Sequence, residues 1–270
     1  MLTAIRTSDG ATSIAWEEQR ENAPFACPEC SASVVLKKGR VVAHHFAHKP
    51  PVICEYGSGE SHAHHECKRA IFDALNKAPN VTKCAVERGL GSVRPDVSAF
   101  IGGIPVAIEI QRSNISTRLL EKRMREYSKK GVHLVWVCLG LDRCDDDGEK
   151  IAPNLWQKWL HAAYFGRVYY WDSSVGGACL WPVHYSEHLL WVEPSEWFAG
   201  GYHRTSKRFR TADFGPPVDL SRNFVARKRD GWSGGQIAIP DSLLYIDDSP
   251  AWWERKEWNE RATRRIQARQ

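Results

Sequence analysis

Arg94-Pro95-Asp96-Val97-Ser98-Ala99-Phe100-Ile101-Gly102-Gly103-Ile104-Pro105-Val106-Ala107-Ile108-Glu109-Ile110-Gln111 is the stretch on which the reading of this chain turns. Its β-branched and aromatic residues predict two strands, at 93–101 and 104–111, and Gly102-Gly103 suits the two-residue loop of a hairpin. Strand side chains alternate, so Val106, Ile108 and Ile110 share one face while Glu109 and Gln111 share the other. The hairpin lays the strands side by side, which brings Asp96 and Glu109 toward one surface. A carboxylate in a buried strand costs several kcal/mol, by rough estimate, unless it is paired or metal-bound. Two such acids form a hard oxygen site suited to Mg²⁺ or Mn²⁺. The plain alternative is a structural ion pair with Arg88, Arg94 or Arg112.

Working outward, residues 62–77 carry Ala63, Cys67, Ala70, Ile71, Ala74 and Leu75 at helical spacing. Glu60, His64 and Lys68 are spaced by four, which places His64 and Lys68 on one stripe of that helix. On its own such a stripe is as readily a solvated face. Strands are expected at 81–87, ending in the further candidate Glu87, and at 132–139, whose near-continuous apolar run suits burial on both sides. Between them residues 116–130 form a helix, capped by Ser116 or Thr117 and ended by Gly131, with Leu120, Met124 and Tyr127 on its apolar face. Helix, three strands, helix, strand is a mixed α/β unit.

The amino-terminal residues read as short strands. Residues 33–36 and 40–46 flank Lys37-Lys38-Gly39 as a hairpin, and Gly57-Ser58-Gly59 makes a joint. Cys27-Pro28-Glu29-Cys30 lies before the hairpin and His44-His45-Phe46-Ala47-His48 at its far end. Zinc takes four such ligands in a tetrahedron, and Cys27, Cys30, His45 and His48 supply them, with His44 or Cys54 as alternates. A free Cys-x-x-Cys without metal is the bland reading. Cys84, Cys138 and Cys179 sit in apolar surroundings as small core residues.

Composition bounds the rest. The chain has 270 residues, 43% hydrophobic and 26% charged, which is globular and excludes general disorder. Its longest apolar runs, such as 132–141, fall far short of a membrane span, and the first sixteen residues show no signal-peptide pattern, so a cytoplasmic protein without membrane partners is expected. Net charge is +5, unevenly spread: residues 60–130 carry 13 Lys/Arg against 8 Asp/Glu, 201–235 carry 8 against 3, and 131–200 carry 4 against 9, led by the acidic run 142–149. Two basic zones fit a polyanionic partner such as DNA, as they equally fit a mixed solvated surface. Ten of the twelve Trp lie between Trp156 and Trp258. Most are read as core anchors, and the basic-aromatic segments 202–210 and 224–232 as the alternative, a stacking surface for single strands. The pattern gives no fold for this half; a charged helix is expected at 251–270, and Trp252, Trp253 and its arginines suit a partner or a second copy.

Asp9-Gly10, Cys27-Pro28-Glu29-Cys30, His45-Phe46-Ala47-His48, Glu60-Ser61 with His64 and Lys68, Arg94-Pro95-Asp96-Val97 and Ile108-Glu109-Ile110-Gln111-Arg112-Ser113 occur in the order seen in the competence-protein CoiA family, which this chain resembles over roughly residues 1–140. The resemblance implies a restriction-endonuclease-like core of the PD-(D/E)xK type at 59–141, behind a zinc-knuckle region at 1–58 and before a Trp-rich region at 142–270. It implies a metal-dependent DNA endonuclease, on single or double strands, in DNA processing, recombination or defence, with recombination or defence proteins or a second copy as partners. Asp96 and Glu109 would hold the metal with the Ile110 carbonyl, and Gln111 stands where most of the superfamily has Lys. Gln carries no charge and cannot act as a base, so it only orients water or a phosphate oxygen. Lys68, with His64 and Glu60 beside it, is then expected to supply the missing cation. A non-catalytic DNA-binding factor with a degenerate core is the other reading of the same substitution.

Overall fold

The computed structural model describes residues 1–39, 43–51, 54, 56, 60–140, 150–196, 200–234 and 237–250. The acidic run 142–149, the joint 57–59, residues 40–42 of the expected hairpin and the tail 251–270 lie outside the described residues.

The amino-terminal region is a small five-stranded sheet of β1 (Thr3–Arg6), β2 (Thr12–Ile14), β3 (Phe25–Ala26), β4 (Ser33–Lys37) and β5 (His45–His48), in the order β2-β1-β3-β4-β5. The strand expected at 40–46 is placed later, at β5, where Val34 pairs with His48 and Lys37 with His45. It has its own apolar core of Phe25, Cys27, Val34, Leu36 and Phe46.

The central unit follows the expected order. Helix α1 (His62–Lys77) starts at Ser61, whose side chain accepts the His64 amide at 3.3 Å, and buries Cys67, Ile71, Phe72 and Leu75. Strands β6 (Val81–Val86), β7 (Val97–Ile101) and β8 (Ile104–Gln111) are antiparallel neighbours. Gly102 and Gly103 both have positive φ, +56° and +82°, which the tight hairpin requires and side chains with a Cβ resist. Asp96 lies one residue ahead of β7 rather than within it. Helix α2 (Thr117–Lys129) is capped by Ser116, and β9 (His133–Cys138) runs parallel to β8.

The later residues extend this sheet and add a separate two-stranded one, Trp232–Gly234 with Ile237–Ile239. They comprise β10 (Lys150–Ile151), α3 (Leu155–Ala163), β11 (Val168–Tyr170), β12 (Cys179–Val192), β13 (Tyr202–Phe214), β14 (Val218–Asp219), β15 (Phe224–Arg229), β16 (Trp232–Gly234), β17 (Ile237–Ile239) and β18 (Ser242–Asp247). The main path is β10-β13-β12-β11-β9-β8-β7-β6, and β18, paired with β15, also joins β9. The fold is thus mixed α and β, with three helices among the described residues. One continuous apolar core holds Ile71, Val97, Ile108, Tyr127 and Trp136 together with Trp156, Trp159, Tyr169 and Leu244. The buried indoles are core anchors, whereas Trp191 and Trp232 are half exposed. Arg167 and Asp247 form a fully buried ion pair at 2.6 Å that ties β18 to β11, with Tyr169 donating to the same carboxylate. No helix among the described residues is long and apolar enough to cross a membrane.

His161 on α3 accepts the Tyr185 amide at Nε2 (3.1 Å) and faces His184 and Arg210. Burial, with those two neighbours, pushes it down to about 3. Between about 6.5 and 3 the unfolded chain takes up a proton that the folded chain refuses, so stability falls as pH drops below 6.5. By pH 5 this loss is about 2 kcal/mol. Urea unfolding at pH 7 and pH 5 should show that loss in the native chain and its absence in His161→Gln; equal pH dependence in both would contradict the assignment.

Candidate active site

Pairing of Val97 with Ile108 fixes the register, and one further step sets Asp96 opposite Glu109. Both line one cavity of about 480 Å³, within the range of ligand sites, together with Glu60, His64, Lys68, Glu87, Ile110 and Gln111. Glu29 and Tyr56 from the amino-terminal region, Arg94, and Lys122 and Arg123 of α2 complete its walls.

Spaced by four on α1, Lys68 and His64 both reach Asp96, at 2.8 Å to Oδ1 and 3.2 Å to Oδ2. Asp96 Oδ2 also accepts the Ile110 amide at 2.7 Å, which locks the carboxylate onto β8. Lys68 is 1% exposed and meets two more carboxylates, Glu60 at 2.5 Å and Glu87 at 2.9 Å. Glu60 accepts from His65 as well, at 2.7 Å. Burial alone would raise these acids. The Lys68 ammonium and the His64 contact outweigh it for Asp96, held well below the usual carboxylate range, and His65 with Lys68 hold Glu60 at about 2. Burial likewise works against the Lys68 charge, but Asp96, Glu87 and Glu60 more than offset it and raise its pKa.

Glu109 has the opposite electrostatics. It is 3% exposed and accepts from Arg123 at 3.0 Å and from Tyr127 at 2.6 Å. Burial, aided by the Asp96 charge, outweighs Arg123 and raises it to about 7. Two facing carboxylates with pKa values driven apart are a mark of functional sites, and also of structural networks. The partner of Glu109 is therefore Arg123, not one of the arginines flanking the strands. Gln111 turns its amide to Ser113, at 2.9 Å to the carbonyl oxygen and 3.2 Å to the hydroxyl.

Three residues of this site carry weak sequence signals. Arg123 and Tyr127 belong to a helix whose packing against β9 and β18 no local pattern reports. Glu87 follows β6 directly and sits in the left-handed region, φ +48°, which residues other than glycine seldom adopt. That backbone turns its carboxylate inward, toward the Leu2 and Thr3 amides (2.9 and 3.1 Å), Tyr56 (2.5 Å) and Lys68.

Among the described residues, two groups could hold a cation. Glu60, His64 and Asp96 offer ligand atoms all within 4.8 Å of one another; Glu109 is not part of that group. In the amino-terminal region the group is Cys27, Cys30, His48 and Cys54, a Cys3His set. His45 stands apart from it. Residues 45 and 48 are three apart on a strand and point to opposite faces; His48 faces the thiols, its Nε2 3.3 Å from Cys30 Sγ, while His45 bonds the Ala43 carbonyl and stacks near His65. Cys54, the alternate, takes the fourth position. Burial raises Cys27 to about 11, whereas the Ala32 amide lowers Cys30, so a cation would complete a thiolate set that the fold has already gathered.

The family model for the N-terminal domain of competence protein CoiA matches residues 9–57, and that for its nuclease-like domain matches residues 60–170. The chain is 30% identical over 116 residues to the competence protein CoiA of Bacillus subtilis (strain 168). That stretch is 42% of this chain and 31% of the relative, so the chain spans about a third of the relative's length. No solved structure matches.

Proposed function

Because the chain belongs to the competence protein CoiA-like family, we propose that it is a metal-dependent nuclease that hydrolyses DNA phosphodiesters in DNA processing, recombination or defence. One observation carries this reading: Asp96, one residue ahead of β7, and Glu109 of β8 line one cavity with Lys122, Arg123 and Arg94.

A divalent ion such as Mg²⁺ or Mn²⁺, held by Asp96, Glu109 and the Ile110 carbonyl, would supply Lewis acidity and a water of lowered pKa. The donor set fits a hard cation, with Glu60 and His64 extending it beside Asp96. The chain's own groups do the rest. Lys68 spends its charge on three carboxylates, so its part is to position Asp96. Lys122, which is exposed, can draw in and neutralise the DNA backbone, joined by Arg123, whose guanidinium also pairs with Glu109. Gln111 lines the cavity and can orient a phosphate oxygen once it releases Ser113. In the amino-terminal region, three thiols and one imidazole in a small sheet suit structural zinc.

The bond from Gln111 to Ser113 favours a second reading, a DNA-binding factor whose cleavage has been lost. Both readings expect DNA binding that weakens steeply with salt. Incubation of the full chain with supercoiled plasmid and with single-stranded DNA, with Mg²⁺, Mn²⁺ or EDTA, separates them. Nicking that needs the cation is the expected result; salt-sensitive binding without cleavage under any cation would leave the second reading.

A further inference from the structure

We propose that the Cys3His centre is coupled to the cavity, with Glu29 and Tyr56 acting as the positioning residues that carry the coupling. The inference rests on a metal occupying that centre, and it does not depend on cleavage.

Each ligand loop delivers one residue to the cavity wall. Glu29 lies inside Cys27-Pro28-Glu29-Cys30, its amide 3.4 Å from the Cys27 sulfur, and its carboxylate meets Arg94 at 2.6 Å. Tyr56 lies two residues beyond Cys54; its ring stacks under the Arg94 guanidinium at 4.2 Å and its hydroxyl donates to Glu87 at 2.5 Å. Glu87 in turn holds Lys68, and Lys68 holds Asp96. A continuous chain of polar contacts therefore runs from the thiols to the carboxylate that would face the metal.

The two branches differ in strength. The Glu29–Arg94 pair is largely solvent-exposed on the Glu29 side, and such pairs contribute little alone. The Tyr56–Glu87 bond ends on a buried carboxylate, where losing a donor costs more. When the centre is filled, the loop that carries Tyr56 is held at Cys54. When it is empty, four ligands that would otherwise be cross-linked are freed, and Tyr56 loses its anchor. The segment it steadies includes the Glu87 amide, which donates to the Asp96 carbonyl at 3.0 Å.

Hydrogen exchange of the full chain, with zinc content measured in parallel, tests this. Removing one zinc by chelator, or by Cys54→Ser, should speed exchange at least tenfold in peptides covering 84–98 and leave β9 unchanged. Tyr56→Phe keeps all four ligands and the ring over Arg94. It should speed the same peptides in the zinc-loaded protein and add nothing in the zinc-free protein, a non-additivity that independent sites would not give. Zinc loss with unchanged exchange at 84–98, an additive Tyr56→Phe effect, or a chain that binds no zinc would each overturn the proposal. Failure of the nuclease reading would appear separately, as absent cleavage with this exchange pattern intact.

Discussion

Lys68→Met should lower the unfolding free energy by about 3–5 kcal/mol, a large share of the stability of any domain. The methionine nearly matches the lysine stem in volume, so the loss reports charge and not packing. One ammonium, 1% exposed, lies between Glu60, Glu87 and Asp96 at 2.5, 2.9 and 2.8 Å. Without it three carboxylates remain close together, one of them at the buried end of β6, and like charges in low dielectric cannot all stay ionised. The amides of Leu2, Thr3 and Ile110 would still be satisfied, and His64 and His65 would compensate only when protonated. Partial rescue by the double variant Lys68→Met with Glu87→Gln follows, because that pair then leaves with both its charges. Denaturant titration of the three proteins is the measurement. A loss below about 1 kcal/mol would place Lys68 among ordinary surface cations and remove its positioning part.

Much of the site was legible because its geometry follows from short-range periodicity. Gly102-Gly103 leaves a single tight connection, the two-residue alternation then decides which acids face each other, and a spacing of four on α1 aims His64 and Lys68 at the same carboxylate. What escaped depends on contacts between elements. Glu87 is readable as an acid at a strand end, but its inward turn comes from a left-handed backbone that no glycine advertises. Arg123 and Tyr127 reach Glu109 with their side chains from α2, which packs against β9 and β18, and the apolar face of a helix does not say which strands it covers.

His45 stands apart from the cysteines for a simpler reason: it shares a strand with His48, and there an odd interval reverses the face. Cys54 lies near the end of the same region, and its approach to Cys27 and Cys30 is set by the fold of the small sheet. The later half resisted because its strands give no clean signal. β10, β11 and β14 are two or three residues long, and β12 and β13 shift register between Glu187 and Leu189. Half-buried aromatics alternate poorly, so neither period stands out.

The convergence of Asp96 and Glu109 on one divalent ion is the claim on which the functional account stands. Both carboxylates line the cavity, yet one is held ionised by Lys68 and the other is raised to about 7 by burial. Replacing either by its amide keeps the shape and much of the hydrogen bonding while removing the negative charge a cation needs. Mn²⁺ titration of the full chain, followed by electron paramagnetic resonance, reads that site without DNA. The native chain should bind Mn²⁺, Asp96→Asn and Glu109→Gln should each weaken it about 100-fold, and cation-dependent DNA cleavage should fall by roughly 10³-fold, about 4 kcal/mol at the barrier. Unchanged Mn²⁺ affinity in Glu109→Gln, with the fold intact, would contradict the shared site.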